Sequence, residues 1–127
     1  MQQPRAIDYF YIAETVVVAV YVQLILKWQL AITGSLPSDL SGKITFLWRV
    51  LINPWIISCL AAAAVGFCVW VAAMTKFDLS YAYPLIVGLI FVLVLGLSGL
   101  FLQEVLTIPK LIGSGLILVG VIVVSRG

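Results

Sequence analysis

The sequence predicts an all-α integral membrane protein with four transmembrane helices and one short helix in the membrane interface. Of its 127 residues, 64% are hydrophobic and only 9% are charged, which is too little polar surface for a water-soluble domain of this size. Four apolar stretches are long enough to approach or exceed the ~17–25 residues that a membrane-spanning helix needs. We expect residues 1–127 to form a single transmembrane domain.

The first predicted span covers residues 9–28 and carries polar side chains at Glu14, Gln23 and Lys27. The second covers residues 54–74, the third 79–102 and the short fourth 109–125. Pro54 and Pro109 stand where spans two and four begin, a position at which the missing N–H of proline costs nothing. Aromatic residues flank the spans, as is typical of anchors at the membrane–water interface.

The long first connection predicts a short amphipathic helix at about residues 40–52. Turn-forming residues, "TGSLPSD", come before it. At helical spacing, Arg49 falls opposite an apolar stripe made of Leu40, Ile44, Leu47, Trp48 and Leu51. Such a pattern is typical of a helix that lies in the plane of the interface, against membrane lipid. A disordered loop is the alternative.

Composition also bears on the class of function. The chain has no histidine, so a typical histidine-bearing metal site is excluded, and no cofactor motif is present. Without clustered carboxylates or a nucleophile–base pair, a membrane enzyme is not expected. The few basic residues lie between apolar runs rather than in a patch, so no nucleic-acid partner is expected. Lysines and arginines divide almost evenly between the two sides, which leaves the orientation open.

Small residues in the last span predict a dimer. Gly113 and Gly120 are seven apart and therefore stack on one helix face, where small residues let two backbones approach closely in lipid. Four helices make a thin bundle, and two copies would enclose a pathway more easily. The partner is either a second copy or a similar four-helix chain, in parallel or antiparallel orientation.

Several stretches resemble the four-helix, small multidrug resistance-like (EamA-like) branch of the drug/metabolite transporter superfamily. "GSGLILVGV" is similar to the dimer motif of that branch, which Gly113, Leu116, Ile117, Gly120 and Val121 fit. "LSYAYPL", at residues 79–85, resembles the start of its third helix. "FLQEVLTIPKLIG" resembles its acidic turn between the last two helices, which implies a structural role for Glu104.

Glu14 departs from the proton-coupled exporters of this branch. In them, the membrane glutamate stands eight residues before a lysine that ends helix one, and Lys27 resembles that lysine. Eight residues before Lys27 is Ala19. Glu14 lies thirteen residues before it, on the helix face opposite Gln23. Because carboxylates within membranes are usually functional, a ligand-site role stays open beside that of a shallow, hydrated side chain.

The ending "QLILK" of helix one and the "YAYPL" of helix three resemble instead the flippase subunits proposed for aminoarabinose-phosphoundecaprenol. This resemblance implies a transporter that moves an undecaprenyl-phosphate-linked sugar across the bacterial inner membrane. The expected binding residues are Gln23, Tyr81 and Tyr83 for sugar hydroxyls and Lys27 for the phosphate. Further candidates are Arg49 and Lys110 at the entry site, Trp70 as a sugar platform or packing residue, and Glu14.

Two alternatives remain. A proton-coupled exporter of small molecules or cationic drugs would use Glu14 in a cavity. A non-transporting accessory subunit of a glycosyltransferase assembly would have a packed core without a cavity. For Lys27, the alternative to phosphate binding is a side chain that only extends its ammonium group from a helix end to the interface.

Overall fold

The computed structural model describes residues 6–127, and this part of the chain is all-helical. A 3-10 turn, Ala6–Asp8, leads into five helices: α1 Tyr9–Thr33, α2 Leu40–Ile52, α3 Pro54–Met74, α4 Leu79–Phe101 and α5 Ile108–Arg126. Four of them, α1, α3, α4 and α5, are long and apolar enough to cross a membrane. The predicted fold class is confirmed.

Local sequence signals account for where the helices begin. The Asn53 side chain accepts a hydrogen bond from the Trp55 N–H at 2.9 Å, and Pro54 follows at the first helical position of α3. Thr107 caps α5 in the same way, with Pro109 in its first turn. Asp39 caps α2 by accepting from the Gly42 N–H at 2.9 Å and from the Ser41 hydroxyl at 2.9 Å. Each cap satisfies an N–H that has no partner within its own helix.

Helix α1 is longer than the sequence predicts. It continues past Trp28 to Thr33 and ends at Gly34, whose φ of +106° suits glycine and whose N–H bonds the Leu30 carbonyl. Its 25 residues extend for about 37 Å, beyond the ~30 Å thickness of a hydrocarbon core. The extra turn is held in the fold because buried Gln29 accepts a hydrogen bond from the Asn53 amide at 2.9 Å.

The bundle has two distinct ends. At one, the Tyr9 end, the Tyr9 ring lies edge-on to Phe77 in the α3–α4 turn, with 5.0 Å between ring centroids. At the other, the Trp28 end, Trp28 lies edge-on to Trp55 at 5.4 Å. Helix α1 therefore runs antiparallel to α3 and parallel to α4, and α5 returns from the Trp28 end.

Helix α1 is the centre of the bundle, packed most extensively on α3 and then on α4, while α5 packs on α4. The core lies between α1 and the α3–α4 hairpin and consists of Ile12, Val16, Val20, Phe77, Ala82 and Ile86. Close packing uses glycine where α3 meets α1: a Cβ built on Gly66 would lie 2.8 Å from Cγ1 of Val18. Gly88 of α4 similarly gives room to Val121 of α5.

The residues of α2 divide into two faces. Val50 is buried, and Phe46, Leu47 and Val50 border a groove shared with Leu26 and Leu30 of α1. The apolar stripe predicted from the sequence, by contrast, is exposed in the single chain at Leu40, Ile44, Leu47, Trp48 and Leu51. Phe46 and Val50 thus hold α2 against the protein, and Leu47 stands at the edge between this face and the stripe, whose other residues stay free for an apolar surrounding.

Candidate functional site

Two grooves border α1 over the same part of its length. The first, of about 360 Å³, runs between α1 and α4 and continues to the loop after α4. The second, of about 320 Å³, runs between α1 and α3. Both volumes fall at the lower end of the range of ~300–1,000 Å³ that is typical of small-molecule sites. In the following paragraphs we call them the α4 groove and the α3 groove.

Gln23 is the residue that lines both grooves. It lies on α1 about 21 Å beyond Tyr9 along the helix axis, and its side chain is exposed to the groove space rather than buried in the bundle. An amide both donates and accepts hydrogen bonds. Its surroundings are largely apolar, with Val94 and Leu95 on one side and Val22 and Phe67 on the other. A polar ligand group entering either groove therefore meets Gln23.

Trp70 is brought close to Gln23, since it lines the α3 groove. Its ring is also edge-on to Tyr83, with 6.3 Å between centroids. Tyr83 is more than half exposed and lies at the rim formed by this pair. Trp70 therefore both packs against a neighbouring helix and presents a surface to the groove.

Tyr81 belongs to a different cluster. Its hydroxyl is 3.3 Å from that of Tyr9, and its ring stacks on Phe77 at 6.0 Å. This cluster closes the Tyr9 end of the bundle, about four helical turns of α1 from Gln23. One sugar cannot contact Tyr81 and Gln23 at the same time, so the structure separates two residues that the sequence analysis grouped in one site.

The cationic candidates lie towards the Trp28 end. Lys27 is one turn beyond Gln23, Lys110 is in the first turn of α5, and Arg49 is near the end of α2; all three are exposed. The Lys110 ammonium donates to the Val105 carbonyl at 3.0 Å. Within residues 6–127, no hydrogen bond or ion pair joins these three side chains to one another. They lie towards the same end of the bundle, but they do not form a preassembled anion site and none of them lines either groove.

Glu14 is outside the lining of both grooves, although its neighbours on α1, Thr15 and Val18, line the α3 groove. It is exposed, and half a helical rotation separates it from Gln23. The structure thus has Glu14 and Gln23 on opposite faces of α1, as predicted from the sequence. Glu14 is therefore opposite Gln23 but only one helical turn from Val18 at the α3 groove.

Ser98 and Glu104 also line the α4 groove, although neither is among the binding residues predicted from the sequence. The backbone N–H of Glu104 bonds back to the Ser98 carbonyl at 3.3 Å, and Gln103 between them has a φ of +57°. A positive φ is uncommon outside glycine, so this turn is specifically shaped. The only sequence signal for Glu104 was the acidic turn, which indicated a structural role.

The predicted dimer residues divide between two surfaces. A Cβ built on Gly113 or on Gly120 would have no neighbour within 4 Å, and Leu116 and Ile117 are exposed. Val121 instead lies against Gly88 of α4 in the same chain. The open glycine face of α5 is therefore Gly113, Leu116, Ile117 and Gly120, without Val121.

Comparison with known proteins adds three relatives. A protein of Aeromonas hydrophila, the probable 4-amino-4-deoxy-L-arabinose-phosphoundecaprenol flippase subunit ArnE, is 35% identical over 78 residues, which cover 61% of this chain and 68% of that protein. The protein of the same description from Aeromonas salmonicida is 32% identical over the same shares. The uncharacterized protein y4nH of Sinorhizobium fredii is 30% identical over 82% of each chain.

No family model matches this chain, and no solved structure does so either. The bacterial relatives and the four apolar helices together identify a multi-pass protein of the bacterial inner membrane.

Proposed function

The chain belongs to the family of the flippase subunits named ArnE, and on this premise we propose that it translocates an undecaprenyl-phosphate-linked sugar across the inner membrane. The observation that carries the proposal is the position of Gln23, a polar side chain shared by two otherwise apolar grooves. The proposal makes the chain a transporter rather than an enzyme. It also places the chain in the four-helix, small multidrug resistance-like branch of the drug/metabolite transporter superfamily.

The grooves suit an amphiphile with a small polar head. Their walls are mostly apolar, and both are open along the side of the bundle rather than enclosed within it. The sugar would lie against Gln23, with Trp70 as a flat surface for its ring, while the polyprenyl tail stayed in the lipid. Tyr83, in contact with Trp70, lies at the rim that the head group would pass.

Lys27 is the proposed phosphate ligand. Residues four apart on a helix are neighbours on its surface, so Gln23 and Lys27 can contact the sugar and the phosphate of one head group. An ammonium–phosphate hydrogen bond is charge-assisted and hence stronger than a neutral one. Lys110 and Arg49, near the same end, would raise the local concentration of anionic head groups before binding.

A partner helix would complete the pathway. Helix α5 has an open face at Gly113 and Gly120, and nearly all of its apolar side chains are exposed in the single chain. We propose that this face packs against a second copy or a similar four-helix chain. The description of the relatives as subunits supports an assembly of this kind.

The alternatives have less support. A proton-coupled exporter through Glu14 would need that carboxylate at the ligand, and Glu14 is not among the residues that line either groove. An accessory subunit of a glycosyltransferase would need no grooves, although two are present. The lipid-linked sugar is therefore the ligand that the arrangement favours.

Flipping of a labelled polyprenyl-phosphate sugar in proteoliposomes tests the proposal. Lys27→Gln should nearly abolish translocation, while Lys27→Arg should retain part of it because the charge survives. Gln23→Leu should be almost as damaging, since the head group would lose its polar partner. Lys43→Gln, which removes a lysine from the exposed surface of α2, is the matched control and should flip at the wild-type rate. Wild-type rates for both Lys27→Gln and Gln23→Leu, at equal protein incorporation, would refute the proposal.

A further inference from the structure

Helix α2 has one face on the protein and a second, apolar face that no other part of residues 6–127 covers. Phe46 and Val50 lie towards the groove that α2 shares with α1. The apolar stripe faces away from that groove, and its residues Ile44, Trp48 and Leu51 are all exposed. A contiguous apolar surface of this kind indicates contact with a partner or with a membrane.

The third face of α2 is polar. Thr45 and Arg49 are four residues apart and are therefore neighbours on the helix surface, and both are exposed. Arg49 falls opposite the apolar stripe, and the Thr45 hydroxyl donates to the Ser41 carbonyl at 3.0 Å. A helix with an apolar face and an opposite polar face suits the boundary between lipid and water, where each face meets the surroundings that it requires.

The level of α2 along the bundle matches the edge of the hydrocarbon core. On α1, Trp28 follows Tyr9 by nineteen residues, which corresponds to about 28 Å against a core thickness of ~30 Å. Tyrosine and tryptophan are enriched at membrane interfaces, so these two residues mark the two edges of the core. Asn53, directly after α2, donates to Gln29, directly after Trp28, at 2.9 Å. The end of α2 is therefore tied to α1 at the Trp28 edge.

We propose that α2 is a membrane anchor whose apolar stripe is embedded in the interfacial layer of the lipid bilayer at the Trp28 end. Trp28 and Trp55, which flank the end of α2, belong to membrane-spanning helices and are both exposed. The stripe is continuous with this lipid-facing surface, which favours lipid over a protein partner. Through the bond between Asn53 and Gln29, the anchor also holds the last turn of α1 at a fixed depth. This inference is independent of the proposed function.

Site-directed spin labelling of the full chain in lipid nanodiscs tests the anchor. Cys59→Ala and Cys68→Ala remove the native thiols, and circular dichroism checks that this background keeps its helicity. A nitroxide on a single introduced cysteine then reports collisions with oxygen, which concentrates in lipid, and with a nickel chelate, which stays in water. The ratio of the two collision rates rises with depth in the bilayer.

Ile44→Cys and Leu51→Cys should give a several-fold higher oxygen-to-nickel ratio than Thr45→Cys, the matched control on the polar face of the same helix. Val65→Cys supplies the value for the centre of the core, because Val65 is exposed on α3 about 15 Å from Trp55 along the helix. The ratio at the stripe should lie between these two controls. Residues 44 and 51 are about 10 Å apart along α2, so they have equal ratios only if α2 lies in the plane of the membrane.

Three results would overturn the anchor. Nickel accessibility of the stripe equal to that of Thr45→Cys would place the stripe in water. Exclusion of both reagents would mean that protein, not lipid, covers the stripe. A ratio equal to that of Val65→Cys, or a depth difference of about 10 Å between residues 44 and 51, would mean that α2 enters the hydrocarbon core.

The link from the anchor to α1 is tested with a nitroxide at Ile32→Cys, an exposed position in the last turn of α1. Gln29→Leu removes the bond to Asn53 and should increase the mobility of this label, seen as narrower spectral lines. Tyr21→Phe is the matched control, because it removes the 2.8 Å bond to Ser58 between the same two helices, away from the end of α2, and should leave the label unchanged. Equal spectra for Gln29→Leu and the parent protein would refute the link.

Discussion

The contact between Gly66 and Val18 should control both the α1–α3 packing and the α3 groove. A Cβ built on Gly66 would lie 2.8 Å from Cγ1 of Val18 and 3.4 Å from its Cβ. Because valine is β-branched and has one strongly preferred rotamer in a helix, it cannot turn aside cheaply. Gly66→Ala should therefore force the two helices apart.

The size of the effect follows from two opposing terms. Overpacking of this kind lowers the free energy of unfolding by about 1–3 kcal/mol. Replacing glycine by alanine within a helix raises it by up to about 1 kcal/mol. Gly66→Ala should thus destabilise the protein by on the order of 1 kcal/mol. In a Val18→Ala background the overlap disappears, and the same change should be neutral or stabilising. The coupling energy between the two substitutions should be about 1–3 kcal/mol.

Reversible unfolding in mixed detergent micelles, followed by circular dichroism, measures this cycle. Gly96→Ala is the matched control, because a Cβ on Gly96 would have no neighbour within 4 Å. If Gly66→Ala is as stable as Gly96→Ala, or if Val18→Ala fails to rescue it, the close approach of α1 and α3 is not as described. Since both residues line the α3 groove with Gln23, the ligand affinity of Gly66→Ala should fall as well.

Three further predictions concern other parts of the chain. Glu14→Gln should leave translocation of the lipid-linked sugar intact, because Glu14 lies outside both grooves; loss of proton-dependent transport in vesicles at unchanged expression would favour the exporter. Gly120→Leu should lower the dimer fraction in single-molecule counting, because bulk on the open face of α5 prevents close approach, whereas an unchanged fraction would exclude that interface. The hydrogen bonds from Gly42 and Ser41 lower the pKa of Asp39 below its usual 3.8. The stability that the Asp39 carboxylate adds to α2 is therefore fully present above pH 3.8 and is lost as the pH falls through the lowered pKa. Hydrogen exchange in the first turn of α2 should accordingly accelerate at acid pH in the wild type, and Asp39→Asn, which does not titrate, should show no such step.

Much of the fold could be predicted because lipid imposes simple rules. Backbone groups in hydrocarbon must be paired within a helix, so apolar length nearly determines the spans, and Pro54 and Thr107 mark helix starts by local chemistry. The end of α1 could not be predicted in this way. Its last turn is held by the bond between Gln29 and Asn53, residues 24 apart in the chain, and no local pattern contains that pairing.

The candidate site was less predictable than the fold. Spacing alone placed Gln23 opposite Glu14, because both residues are on one regular helix. It could not place Tyr81, whose position depends on contacts with Tyr9 and Phe77 from other elements. Nor could it assign Glu104 to a groove, because that follows from how the loop after α4 folds back onto Ser98.

The one carboxylate and the two carboxamides of α1 have three different environments, and this difference bears directly on function. Gln29 is buried and bonded to Asn53, so its polarity is already used to hold α1 to the start of α3. Glu14 is exposed and does not line either groove. Gln23 alone is open to groove space on both of its sides, without a hydrogen-bond partner in the described part of the chain. An amide left unpaired beside apolar walls gains most from a ligand that supplies the missing donor and acceptor, and a sugar hydroxyl supplies both. The pattern of satisfied and unsatisfied polar groups on this one helix therefore supports the proposal that Gln23 is the point at which a sugar is recognised.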